Sequence, residues 1–142
     1  MNNRLLLSCV LAIGLSTAAL ADVQYGIDVE QEELLFMMAQ HNTATNLELG
    51  RFGVPNYAEA IQLYRKAAVL GYPLAQNSLG RLYEMGRGAP QSYVLAYVWY
   101  TIAATNGDDN AVANRDAAAK RLTKVEILDS QALARQLQLQ LP

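Results

Sequence analysis

Shifted along itself by thirty-six residues, the chain matches itself over a long stretch without a gap. Gly50 falls on Gly86, Arg51 on Arg87, Tyr57 on Tyr93, Ala60 on Ala96 and Tyr64 on Tyr100. Ala67-Ala68 meets Ala103-Ala104, Gly71 meets Gly107 and Ala75 meets Ala111, which makes nine identities over the twenty-six positions from Gly50 to Ala75. Ordinary residue frequencies would give about two. Upstream, the same offset pairs Ala39 with Ala75, Gln40 with Gln76 and Glu48 with Glu84, so the period continues in weaker form. A unit of this length cannot bury its own apolar face. It has to stack against neighbouring copies.

Local signals give each unit the form of a helical hairpin. Gly71 ends one segment, and Pro73 stands where a first helical turn tolerates it. Ala75, Leu79, Leu82 and Tyr83 then recur on one helical face until Gly86 stops the helix. After the corner, Ser92 is placed to cap a second helix with the stripe Tyr93, Ala96, Tyr97, Tyr100, Ala103 and Ala104, closed by Gly107. One unit earlier, Asn56 and Glu59 form a cap pair ahead of Tyr57, Ala60, Ile61, Tyr64 and Ala67-Ala68. The recurring alanines let helices approach closely while the tyrosines fill the wider gaps.

The flanks read as caps of the array. Asp28 with Gln31, followed by early acids, predicts the start of an N-terminal capping helix from about residue 28. Asp108 or Asp109 can cap a helix through Ala111 to Leu122. Thr123 and Glu126 form a capping box for a last helix with Ile127, Leu128, Ala132 and Leu133 as its apolar residues. "QLQLQL" at 136–141 alternates with period two but is read as a fraying helix end. The expected fold class is all-α. It is a short superhelix of about two to three hairpins, with repeats at about 39–74 and 75–110 and a C-terminal hairpin at about 109–140.

The stretch Ala75, Leu79-Gly80, Leu82-Tyr83, Gly86-Arg87-Gly88, Tyr93, Ala96, Trp99-Tyr100, Ala103-Ala104, Gly107 resembles the Sel-one-like repeats, relatives of the tetratricopeptide repeats. The unit from Ala39 to Gly71 keeps that pattern in its second helix and departs in its first, where Thr43-Ala44 replaces Leu-Gly, Asn46 replaces a Leu and Leu47 the Tyr. These departures mark it as a terminal repeat. The resemblance implies an adaptor that assembles complexes in the periplasm or outside the cell. A narrower role it allows is an immunity protein neutralising a secreted toxin. A cell-wall or β-lactam hydrolase is a further alternative, associated with cysteine-rich members.

The address is read from the first twenty-one residues. Arg4, the apolar run Leu5 to Leu15 and the small residues Ala19-Leu20-Ala21 have the form of a cleaved secretory leader, and the run is too short to span a bilayer core of about 30 Å. Cleavage after Ala21 would remove Cys9, the only cysteine, so no disulfide is expected and the domain must hold by packing. It would also remove Arg4, leaving ten basic against thirteen acidic residues and no basic cluster in the sequence, which argues against nucleic acid as a partner. No stable membrane insertion of the mature chain is expected.

Catalytic chemistry finds no constellation. His41 is the only histidine, no nucleophile elbow is present, and neither zinc nor calcium ligand spacing occurs, so no enzyme activity, metal or cofactor is expected. The two corner loops lack the ending of a P-loop and repeat with the period, as hairpin corners would. What remains is a protein or peptide partner. With Ala75, Leu79 and Leu82 turned inward, Asn77, Arg81 and Glu84 are expected to face outward, together with His41, Thr45 and Glu48 one period earlier. So few hairpins make a small surface, which leaves oligomerisation open.

Overall fold

The computed structural model describes residues 17–141, and these contain six helices and no strand. They are α1 (Thr17–Glu48), α2 (Tyr57–Val69), α3 (Pro73–Met85), α4 (Tyr93–Thr105), α5 (Asp109–Ala119) and α6 (Lys124–Gln138). The expected leader at 1–21 lies, apart from its last residues, outside the described residues. From Phe36 onward the chain forms one compact unit, and the residues up to Leu35 belong to another. Within the larger unit, α2 packs on α3, α3 on α4, and α4 on both α5 and α6. It is an all-α array of stacked hairpins.

The helix boundaries follow from local chemistry. Asn56 Oδ1 accepts from the Glu59 amide at 3.1 Å, and Ser92 Oγ accepts from the Leu95 amide at 3.2 Å. Asp108 accepts from the Asn110 amide at 3.0 Å, and Thr123 with Glu126 forms a reciprocal capping box. Pro73 opens α3 at its first turn, and Gly86 closes it in the left-handed conformation at φ +64°. Two boundaries depart from expectation. The first helix does not begin at Asp28, because the preceding residues from Thr17, rich in alanine, continue it without a break. The fifth ends at Ala119 rather than Leu122, its last carbonyls taken by the amides of Lys120, Arg121 and Leu122 in a tightened turn.

The core runs continuously across the hairpin boundaries. Ala44, Ala60, Ile61, Tyr64, Ala67, Ala68, Ala75, Leu79, Leu82, Ala96, Tyr97 and Tyr100 belong to one buried cluster. Gly80 shows how close the approach is: a Cβ there would lie 2.6 Å from the Tyr100 ring. The stripe expected on α4 is buried at Ala96, Tyr97, Tyr100 and Ala103, whereas Tyr93 and Ala104 are only partly covered. Its opposite side is also buried, because Val98 and Ile102 pack against Ala134 of α6 with Leu133 and Leu137 beside it. A helix packed on both sides has to be apolar nearly all round.

On α6 the buried face differs from the one expected. Leu128 is 64% exposed and Ala132 is exposed, while Ser130 and Ala134 are buried and Ile127 and Leu133 partly so. Ser130 can be buried because its hydroxyl donates to the Glu126 carbonyl at 2.6 Å, leaving no unpaired donor. The "QLQLQL" tail continues the helix to Gln138 and ends in a turn, with Leu137 and Leu141 against the second cluster.

A chain of amides ties the three hairpins at their turn edge. Gln138 Nε2 donates to Asn106 Oδ1 at 2.8 Å, and Asn106 Nδ2 donates to Gln76 Oε1 at 3.0 Å. Gln76 Nε2 then donates to the Ala68 carbonyl at 2.9 Å. Gln76 is wholly buried yet has both ends of its amide satisfied, which makes it a specifying contact instead of a cost.

Candidate functional site

The first helix of each hairpin contributes one polar ridge, and the six sequence candidates lie on it. On α1 these are His41, Thr45 and Glu48, and on α3 they are Asn77, Arg81 and Glu84. The structure brings them together through two tyrosines of the second helices. Tyr64 Oη donates to Glu48 Oε2 at 2.9 Å, and one period later Tyr100 Oη donates to Glu84 Oε2 at 2.7 Å. Thr45 Oγ1 lies 3.0 Å from Tyr64 Oη and donates to the His41 carbonyl at 2.9 Å. Each repeat therefore closes its own hairpin with the same Tyr–Glu pair.

Arg81 links the two units. Its guanidinium binds Glu48 with two nitrogens, Nη1 to Oε1 and Nη2 to Oε2, the latter at 2.8 Å. The fork matches the carboxylate, the arrangement in which a guanidinium gains most. Glu48 was expected to face outward, and it does not: its side chain is 5% exposed, against 42% for Arg81. Neighbouring first helices lie close enough for the longer side chain to reach back over the shorter one, so the carboxylate is consumed internally. Arg81 keeps its remaining N–H groups toward solvent.

Asn77 is engaged in the same way at the next boundary. Its Oδ1 accepts from Asn114 Nδ2 on α5 at 2.9 Å. His41 lies half-buried between Tyr64 and Tyr72, with ring centroids 5.4 and 5.5 Å away. The six residues thus act first as ties between helices, and what they offer a partner is an ordered ridge instead of loose surface charge.

Protonation states follow from these contacts. Burial alone would raise the Glu48 carboxyl, but the Arg81 hydrogen bonds and charge, with the Tyr64 hydroxyl, outweigh it and hold the carboxyl below its ordinary value. Glu48 raises Arg81 in return, against some desolvation. Burial raises both Tyr64 and Tyr100, with Glu48 and Glu84 adding to it, so both hydroxyls stay protonated donors. Burial lowers His41 and keeps its imidazole neutral near pH 7. The arrangement can recognise hydrogen-bonding groups. It holds no nucleophile positioned against a base.

Sequence reasoning placed Tyr64 and Tyr100 in the core and missed their hydroxyls as organisers of the ridge. The signal was present, because Glu48/Glu84 and Tyr64/Tyr100 repeat with the same offset. Among the described residues, no group of three or more His, Cys, Asp or Glu is placed to hold a metal ion, and no helix is long and apolar enough to cross a membrane.

The Sel1 repeat pattern matches residues 38–72 and 73–108, together half of the chain. Human protein sel-1 homolog 2 is 43% identical over 72 residues, which is 51% of this chain and 10% of that protein. Among solved structures, a protective antigen present in uropathogenic Escherichia coli strains, displaying an SLR fold, superposes with a TM-score of 0.69 at 31% identity. That superposition covers 71% of this chain and 22% of the antigen. A Sel1 repeat protein from Oxalobacter formigenes gives a TM-score of 0.54 at 34% identity, covering 57% of this chain and 61% of that one. The chain spans about a tenth of the human relative's length and about a fifth of the antigen's.

Proposed function

Since the chain belongs to the Sel1 repeat family, whose members are generally non-catalytic scaffolds for protein–protein interaction, we propose that it is an exported, periplasmic adaptor without enzymatic activity. The observation that carries this reading is the ridge along α1, α3 and α5. Its polar groups are held in register by Glu48–Arg81 and Asn77–Asn114, and Arg81 still has donors turned to solvent. A surface whose side chains are already ordered loses little conformational entropy when a partner docks. The partner it suits is an extended or helical protein segment offering carboxylates or carbonyls to Arg81 and Asn77. The leader-like first residues support the address.

Crosslinking and affinity purification from the periplasm tests this directly. Ala117 is exposed on α5 one period after Arg81, so Ala117→Glu should leave the melting temperature unchanged while reducing recovery of the captured protein about fivefold or more. Undiminished recovery would remove the ridge from the interface. Capture of a toxin, with rescue of the cell from it, would assign immunity in place of assembly. Turnover of a chromogenic β-lactam would contradict the non-enzymatic reading.

A further inference from the structure

We propose that the row of hairpin corners forms a docking edge for an anionic bilayer surface, with Phe52 and Val54 entering the headgroup layer and the corner cations meeting lipid phosphates. The three corners are neighbours in space. The Arg87 guanidinium of the second corner lies 5.2 Å from the ring centroid of Tyr57, and Arg121 of the third lies 4.9 Å from that of Tyr93. The second and third corners therefore each seat an arginine on the tyrosine that opens the preceding second helix.

The contrast between Gly88 and Phe52, equivalent positions one period apart, singles out the first corner. At Gly88 a Cβ would lie 2.3 Å from the Tyr57 carbonyl oxygen, so the junction between hairpins excludes any side chain. At the first corner that position carries Phe52, 75% exposed, beside Val54 at 89% and Leu49 at 58%. Packing within the fold does not call for an aromatic tip there. Three large apolar side chains concentrated on one protruding loop mark a contact surface.

Its surroundings are cationic. Arg51, Arg87, Lys120, Arg121 and Lys124 are all exposed on the corner edge, half of the ten basic residues that follow Ala21. Two of the nearby carboxylates are engaged within the fold. Glu48 is held by Arg81 and Tyr64, and Glu84 by Tyr100. Glu59 and Glu126 keep their charge, held by the neutral Asn56 amide at 2.9 Å and by the Thr123 capping box. The partner of Arg51 is the neutral Asn46 amide at 3.3 Å. Projecting apolar tips beside five exposed cations suit the boundary of an anionic bilayer, where short apolar insertion and headgroup attraction add together. A protein partner would instead need a pocket shaped to receive two separate tips. This edge is distinct from the ridge of α1, α3 and α5, so an adaptor could use both.

The test reads one position. In the full chain carrying Trp99→Phe, which removes the only tryptophan, Phe52→Trp is introduced and mixed with vesicles of phosphatidylcholine containing about 30% phosphatidylglycerol. Its emission should shift to the blue and be quenched by brominated acyl chains, whereas Val112→Trp on α5 should show neither effect. Because quenching reports a single site, apolar residues elsewhere do not contribute to it. Partition of the otherwise unaltered chain should fall about tenfold with Phe52→Ser plus Val54→Ser, and by a similar factor with Arg51→Gln plus Lys124→Gln, at unchanged melting temperature. An unquenched Phe52→Trp, or equal response to neutral vesicles, would overturn the proposal. Protection of that tryptophan by an acidic protein but not by vesicles would make the edge a protein interface and the lipid assignment wrong.

Discussion

The Tyr100 hydroxyl donates to the Glu84 carboxylate at 2.7 Å, and thirty-six residues earlier Tyr64 donates to Glu48 at 2.9 Å. The repeat therefore copies a buried polar contact as well as an apolar pattern. The pair ties the last turn of a first helix to the middle of the second, and Arg81 then spans the gap between the two copies. Stacking and hydrogen bonding thus act at the same junctions.

Gly80 of α3 lies directly against the Tyr100 ring of α4 within the second hairpin. Alanine is the better helix former by about 1 kcal/mol, which alone would stabilise α3. The added Cβ, however, would lie 2.6 Å from a tyrosine ring that is 1% exposed and cannot move aside. Overpacking of this kind costs about 1–3 kcal/mol. Gly80→Ala should therefore destabilise on balance, measured as a lower urea midpoint. An increased midpoint would show that the ring is not locked against the helix.

Stability should fall with acid in two stages. His41 is kept neutral in the fold, so the unfolded chain binds its proton more readily, and stability present above the ordinary value of 6.5 declines as pH drops below it. Glu48 is held below its ordinary value of 4.5, so its contribution is complete above that pH and is lost as pH falls through the lower folded value. Urea midpoints from pH 7 to about pH 3 should therefore show His41→Gln flattening the upper stage and Glu48→Gln the lower. Slopes unchanged by either substitution would contradict the assigned contacts.

Thr123 holds the entry to α6. Its hydroxyl accepts the Glu126 amide at 3.2 Å, and the Glu126 carboxylate accepts the Thr123 amide at 2.8 Å. Thr123→Ala should cost about 1 kcal/mol and lower the melting temperature by several degrees. Thermal unfolding followed by circular dichroism checks it, and an unaltered transition would mean that the third hairpin frays before the rest.

The first two hairpins were legible because they carry the same information twice. Tyr57 and Tyr93 fix the start of a helix, Gly71 and Gly107 its end, and Asn56 and Ser92 the cap. The third hairpin has no second copy of its closing helix, and its corner at 120–123 is shorter, so the register could not be transferred. Leu128 was accordingly assigned to the core, whereas the face defined by Ile127, Ser130, Ala134 and Leu137 is the one that packs. Glu48 was misplaced for a different reason. A helical wheel gives the direction of a side chain but not the distance to the next first helix, and that distance lets Arg81 cover it.

The link between the repeats can be measured with a double-mutant cycle on Glu48→Gln and Arg81→Gln. Removing one partner of a buried pair costs about 3–5 kcal/mol, and the partial exposure of Arg81 reduces the expected single-variant loss to about 1–3 kcal/mol. If Arg81 joins consecutive hairpins through Glu48, the double variant should lose clearly less than the sum of the singles, with a coupling of about 1 kcal/mol or more. Strictly additive losses would mean that the two repeats are not joined through this pair.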